Sequence, residues 1–272
     1  MRHQIHTSRR PLVMGIVNVT PDSFSDGGMF SSTSDAVAYA KKLVEAGADI
    51  LDIGGESTRP GSSPVSIDEE LKRVIPVVEA FANKDVLISV DTSKAEVMRQ
   101  AIDAGVDMIN DVNALRACKA LETVAENDRV FVCLMHMQGS PANMQKNPQY
   151  INTVQDVYDF LQDRIQVSVA AGILKHRLII DPGFGFGKTL QHNLALLNKL
   201  KCFTQLNVPI LAGLSRKSML GAMTGNAVDQ RIHESVAAAL LAVINGARIV
   251  RVHDVKATKD ALSIFTAMQE NS

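Results

Sequence analysis

The 272-residue chain predicts a (β/α)8 barrel, a single-domain α/β fold, and three observations lead there. Short β-branched runs alternate eight times with longer helical patterns, as parallel βα units do. The length matches the roughly 250 residues such a barrel needs. Run after run also ends in a polar residue. LVMGIVNV stops at Asn18, VLISVD at Asp91, DMIND at Asn110-Asp111, RLIID at Asp181 and VPILAGLSRK at Arg216-Lys217. ADILDIGG runs into GESTRP, and RIVRVHD carries Arg251 and His253. Strand C-termini of a parallel α/β protein meet at one face, and that face builds the site.

Element by element, strands fall at 12–19, 49–54, 86–91, 107–111, 129–136, 177–181, 208–214 and 248–253. Helical patterns follow at 35–47, 68–82, 94–105, 117–126, 153–171, 190–201, 234–246 and 256–269. Gly47, Gly105, Gly172 and Gly246 stand where helices end, and Ser34 and Ser66 where they begin. Stretches 20–33, 55–67 and 137–150, rich in Gly, Ser, Pro or Asn, are the long strand-to-helix loops and candidate lids. No linker or low-complexity tract divides the chain, so residues 1–272 read as one domain, with 1–11 a short N-terminal extension. An open doubly wound sheet has the same alternation, and counting units does not separate the two.

Composition excludes several classes. Net charge is −1, without the basic excess of a nucleic-acid binder, so any anion site is local. Cys118, Cys133 and Cys202 are far apart and form no CxxC pair, which suits thiols in a reducing compartment. No apolar run approaches the roughly 18 residues of a membrane span, and MRHQIHTSRRPLVMG lacks a signal-peptide core. The expected location is the cytoplasm, with no nucleic-acid or membrane partner.

Two sets of residues carry chemistry. Asp91, Asn110 and Asp181 sit at predicted strand ends, where a carboxylate needs partners. They can be caps for neighbouring loops, or they can read the ring N–H and amino donors of a flat nitrogen heterocycle. The second set is basic: Arg216 and Lys217 after strand 7, Arg251 and His253 on strand 8. Loops after strands 7 and 8 are a frequent phosphate site in these barrels. Arg251 and His253 are two apart and project to one side; the alternative is an internal ion pair with Asp254 or Glu56. Asn18 offers a neutral oxygen that could hold Mg²⁺, which takes few protein ligands beside phosphate and water. GFGFGKT (183–189) fails the P-loop spacing, since Pro182 stands where the first glycine belongs. It reads as a plain turn or as a flexible wall for a flat apolar ligand. His136 could line the site or be structural; His233-Glu234 lacks the second His of a zinc-protease helix. No nucleophile elbow is present. The parts favour transfer with diphosphate leaving, stabilised by charge.

These segments resemble a known family. MGIVNVTPDSFSDGG (14–28), DIGGESTRPG (52–61), SVDTSK (89–94), IND (109–111), LMHMQG (134–139), DPGFGFGK (181–188), GLSRKS (213–218) and RVHDV (251–255) are similar, in order, to the bacterial dihydropteroate synthases. The resemblance spans essentially the whole chain. It implies a transferase of folate biosynthesis and a sulfonamide target. The implied reaction joins 6-hydroxymethyl-7,8-dihydropterin diphosphate to 4-aminobenzoate, giving 7,8-dihydropteroate and diphosphate by an S_N1-like route. By that resemblance Asp91, Asn110, Asp181, Met135, Gly213 and Lys217 hold the pterin, while Asn18, Arg251 and His253 hold diphosphate, with Mg²⁺ at Asn18. Phe24, Thr58, Arg59, Pro60, Phe186, Lys217 and Ser218 surround 4-aminobenzoate. Lys217, Arg251, His253 and Asp91 act in catalysis, and Arg251→Ala slows turnover by orders of magnitude with the fold intact.

Other readings remain. A methyltetrahydrofolate:corrinoid methyltransferase-like barrel keeps the pterin acceptors but has no need of the SRKS and RVHD sets. A non-catalytic pterin-binding paralogue should have lost loop or anion residues, yet TPDSFSDGG and ESTRP are intact. A Schiff-base aldolase needs a buried mid-strand lysine, and Lys217 lies after strand 7. Helix 234–246, alanine-rich and apolar on more than one face, is a buried barrel helix or an interface; the resemblance implies a homodimer.

Overall fold

The alternating runs become eight parallel strands in this computed structural model, which describes residues 5, 8, 10–20, 33–58, 61–81 and 85–271. They are β1 (Leu12–Asn18), β2 (Ile50–Gly54), β3 (Leu87–Asp91), β4 (Met108–Asp111), β5 (Phe131–Met135), β6 (Leu178–Asp181), β7 (Leu211–Ala212) and β8 (Ile249–Val252). The hydrogen-bonded order is β6-β5-β4-β3-β2-β1-β8-β7. A parallel bridge between Ile180 and Ile210 brings the two ends together and closes the barrel, with Ile180 N–H donating to Pro209 O at 3.0 Å. An open doubly wound sheet is thereby excluded.

Helices wrap the outside: α1 (Thr33–Glu45), α2 (Ile67–Phe81), α3 (Ala95–Asp103), α4 (Ala120–Ala125), α5 (Thr153–Ala170), α6 (Leu190–Asn198), α7 (Ser218–Thr224), α8 (Ile232–Ile244) and α9 (Val255–Glu270). Gly47, Gly105, Gly172 and Gly246 follow their helices at φ of 96° to 100°, as their positions predict. Ser66 caps α2, its Oγ accepting from Glu69 N–H at 3.2 Å. Ser34 instead lies inside the first turn of α1. Two differences concern strand 7. Its ladder shrinks to two residues, since Pro209 has no N–H to donate. The short helix α7 follows it; a seven-residue, glycine-interrupted stretch shows too little periodicity to be read from sequence.

Period-two alternation divides each strand between two cores. Outward residues such as Val13, Leu51, Ile88, Ile109, Leu134 and Ile180 pack with the helices. Inward residues Leu12, Met14, Ile50, Leu87, Met108, Phe131, Cys133, Ile179, Leu211 and Ile249 fill the lumen, and Ile5 of the N-terminal segment joins them. Toward the strand C-termini the inward positions turn polar: Asp52 above Ile50, Asp91 above Leu87, Asn110 above Met108, Asp181 above Ile179, Arg251 above Ile249. The lumen is apolar at one end and charged at the other.

Candidate active site at the C-terminal mouth of the barrel

Register fixes which inward residues meet. Gly54 pairs with both Asn18 and Asp91, Asp91 with Asn110, and Met135 with Asp181. The first addition to the expected set is Asp52, fully buried on β2. Its Oδ2 accepts from Arg251 Nε at 2.5 Å and from Asn110 Nδ2 at 3.1 Å. Arg251 Nη2 also reaches Asp91 Oδ2 at 2.8 Å. The signal was present in the chain: a charged residue mid-strand in ILDIG, on the same side as Ile50.

One guanidinium thus serves two carboxylates in a site of low dielectric. Burial pushes the Asp91 carboxyl up to about 7, against the opposing pull of Arg251, and the Asp52 and Asp111 carboxylates add to the rise. Burial works against the Arg251 cation, but Asp52 and Asp91 more than offset it and raise its pKa. Asp181 is raised by burial, opposed by Lys217, and its Oδ1 accepts from Gly183 N–H at 2.7 Å. Burial lowers Lys217 to about 8, with Asp181 pulling the other way.

The second half of the mouth comes from β6, β7 and β8. Lys217 Nζ donates to Phe184 O and lies 4.5 Å from the centre of the Phe186 ring. The two phenylalanines of GFGFGKT separate: Phe184 is buried in the outer core, and only Phe186 forms wall, packing on Val112, Met135, Met137 and Met144. His253 is fixed by Ser215, whose Oγ lies 3.0 Å from His253 Nδ1 and accepts from His253 N–H at 3.1 Å. Ser215 was missed because a serine two residues before a lysine carries no pattern of its own.

Other expected residues are placed less centrally. Arg216 does not join the basic set. Its φ of 57° turns it to Asp254, where Nη2 and Nε donate at 2.6 and 3.0 Å. Arg251 in turn pairs with neither Asp254 nor Glu56; Glu56 accepts from Lys94 Nζ at 2.6 Å. His136 is buried, and burial with the nearby Lys188 lowers it to about 2. Its Nδ1 lies 2.9 Å from Lys188 Nζ, so it is structural. Asn18 and Thr58 are half-buried at the mouth, and Ser218 is exposed at the start of α7. Phe24, Arg59 and Pro60 lie outside the described residues.

Acceptors on β2, β3, β4 and β6 therefore face cations on β8 and after β7, over a lumen closed below. Such a pocket can hold a flat donor-edged ring beside an anion and stabilise charge as it develops. Residues 14–253 match the model of the pterin binding enzyme family. Dihydropteroate synthase of Haemophilus influenzae is 56% identical over 258 residues, covering 94% of this chain and 94% of that protein. The structure of the Yersinia pestis enzyme with a sulfonamide drug is 51% identical at a TM-score of 0.93, covering 96% of this chain and 95% of that one. The Xanthomonas albilineans enzyme in complex with 7,8-dihydropteroate is 52% identical at a TM-score of 0.87, covering 96% and 94%. With its motifs, its closed barrel and these relatives in agreement, the chain belongs to the pterin binding enzymes and, within them, to the dihydropteroate synthases.

Proposed function

We infer that the protein is a transferase that joins 6-hydroxymethyl-7,8-dihydropterin diphosphate to 4-aminobenzoate, releasing 7,8-dihydropteroate and diphosphate. The observation that carries this reading is the division of one barrel mouth into acceptors and cations, linked through Arg251. Asp91, Asn110 and Asp181 suit the donors of a pterin edge. Met135 and Gly213 suit the slot: a Cβ on Gly213 would come within 3.8 Å of Arg251 Cβ and 4.0 Å of Asp181 Oδ2. Arg251 and His253 suit diphosphate. Lys217 stands between the two, with Phe186, Thr58 and Ser218 toward 4-aminobenzoate. The same assignment extends to Phe24, Arg59 and Pro60.

In this reading the C–O bond to diphosphate breaks first. Arg251 and His253 stabilise the charge gathering on the leaving group. The amine of 4-aminobenzoate then attacks the pterin methylene cation and loses a proton. Asp91, poised near neutrality, can both accept and donate at the pterin edge. Closed loops exclude water that would trap the cation.

Asn18 fits a magnesium ion. A Cβ on Gly54 would lie 3.7 Å from Asn18 Oδ1 and 3.6 Å from Asp91 Cβ, so the glycine keeps space open between those side chains. Among the described residues no cluster of three or more His, Cys, Asp or Glu is placed to hold an ion by itself. Phosphate oxygens and water would complete the set, as magnesium prefers. Bound there, Mg²⁺ supplies positive charge to the diphosphate.

The same proposal includes one domain over residues 1–272 and a homodimer; on α8, Leu241 and Ile244 remain about half exposed. It includes sulfonamide inhibition in competition with 4-aminobenzoate. It also includes a cytoplasmic location, which three free cysteines suit; among the described residues no helix is long and apolar enough to cross a membrane. The test is diphosphate release from the pterin diphosphate and Mg²⁺, with and without 4-aminobenzoate. Release dependent on 4-aminobenzoate, with dihydropteroate formed, supports the reading. Tight pterin binding without condensation means a non-catalytic pterin binder and overturns it.

A further inference from the structure

The loop after β6 carries Phe186 and accepts Lys217, yet its own sequence does not specify a shape. Gly183 and Gly187 both adopt positive φ, 70° and 62°, and glycine there is conformationally free. Neither can be replaced: a Cβ on Gly183 would overlap the His136 carbonyl, and one on Gly187 would lie 2.7 Å from Gln138 O. What gathers this loop is a lysine outside the expected site. Lys188 is 3% exposed. Its Nζ lies 2.9 Å from Gly183 O, 3.0 Å from Phe186 O and 2.9 Å from His136 Nδ1.

Burial pushes the Lys188 amine well below its ordinary value, with Asp181 pulling the other way, and in either protonation state its nitrogen carries at least two N–H donors. Gly183 O and Phe186 O take two of those donors, and His136 contributes its Nδ1 and, at 3.4 Å, its carbonyl. Burial holds His136 neutral, and its Nδ1 shares a hydrogen bond with Lys188 Nζ. The bond to Phe186 O fixes the peptide plane after Phe186 and with it the direction of the ring. That ring is the one over which Lys217 Nζ sits. The loop is also propped by the loop after β5: Tyr150 Oη donates to Gly187 O at 2.7 Å, and Gln145 Nε2 donates to Gly185 O.

We propose that Lys188 is a positioning residue for the amine-substrate wall: its side-chain nitrogen knots the 183–187 loop so that Phe186 and Lys217 stand in register. This rests on the reading of Phe186 as a contact of 4-aminobenzoate. It places a specificity requirement on a side chain that itself touches no substrate.

The experiment is a double-mutant cycle in the full chain with Lys188→Met and Phe186→Ala. Lys188→Met should raise KM for 4-aminobenzoate by about tenfold or more, a larger factor than its effect on the Kd for pterin diphosphate, measured by calorimetry, which is transmitted through Lys217 alone. In the double variant, KM should be no worse than in Phe186→Ala alone. A lowered Tm with unchanged KM overturns the proposal, as do effects that simply multiply. If Phe186→Ala leaves KM unchanged, the assignment of Phe186 falls and this inference with it; if only Lys188→Met does, the assignment stands and the inference falls. Should Lys188→Met not accumulate, Lys188→Gln keeps two N–H donors and must shift KM in the same direction, or the proposal is wrong.

Discussion

Arg251 on β8 and Asp52 on β2 form a buried ion pair across the intervening strand β1, with Nε 2.5 Å from Oδ2 and the carboxylate fully buried. The same guanidinium holds Asp91 at 2.8 Å. A residue suited to a departing diphosphate is therefore also the counter-ion of the acceptor layer. Two functions meet on one side chain, and substitution has to separate them.

Arg251→Ala leaves Asp52 buried without its cation, and removing one partner of a buried pair costs about 3–5 kcal/mol. The fold should then be less stable, and the urea midpoint tests the expectation from sequence that it stays intact. Asp52→Asn in the same chain should restore most of the lost urea midpoint. Turnover should fall by about 10²–10³-fold in both proteins, on the scale of losing a preorganised charge. A double variant that regained activity along with stability would remove Arg251 from the chemistry.

Asp91 gives a pH-dependent stability of unusual sign. Its folded pKa, near 7, lies above the ordinary value of about 4. Between those values the folded state holds the proton and the unfolded state does not, so stability contributed by this group falls as pH rises from about 4 to 7. Asp91→Asn removes that loss. About three units correspond to at most about 4 kcal/mol, and the gain should be full above pH 7 and fade toward pH 4. Thermal melts of both proteins at pH 5 and pH 8 decide it: a Tm gain no larger at pH 8 than at pH 5 refutes the assignment. Activity should be lost at either pH.

Much of this was legible in the sequence, and the reasons are physical. Strand ends were visible because a parallel barrel places polar residues where apolar runs stop, so Asn18, Asp91, Asn110 and Asp181 stood out. Asp52 did not, since it lies inside a run and shows only through its period-two relation to Ile50. Arg216 was misread because adjacent charges look alike in sequence, whereas a left-handed backbone at Arg216 sends it to Asp254 and leaves Lys217 at the mouth. Lys188 and Ser215 act on other side chains rather than on a ligand, and such roles appear only with coordinates.

Lys217 should set an alkaline limit. Burial brings its ammonium down to about 8, so the charge is present below that pH and lost above it. KM for the pterin diphosphate should rise as pH passes about 8, and Lys217→Gln should have a raised KM that is flat over the same range. A wild-type profile flat to pH 9.5, about one and a half units higher, would exclude this titration.

Below the loop after β2 a second buried charge needs its partner. Glu70 on α2 is fully buried and bound by Lys94 Nζ, which also holds Glu56 at 2.6 Å. Burial works against the Lys94 cation, but hydrogen bonds to Glu56 and Glu70 outweigh it and raise its pKa. Glu56 Oε1 accepts in turn from Val65 N–H at 3.1 Å, pinning the base of the loop that carries Thr58. Lys94→Met should cost about 3–5 kcal/mol, because Glu70 stays buried without its partner. Replacing that carboxylate too, in Lys94→Met/Glu70→Leu, should recover most of it, since an apolar pair of similar volume fills the space without desolvating ions. If stability is what the triad provides, the recovered protein binds 4-aminobenzoate as the wild type does. If the triad also sets the loop, KM stays raised after stability returns. Urea midpoints and KM on the single and double variants separate the two, and an unchanged midpoint for Lys94→Met would show that Glu70 does not depend on Lys94.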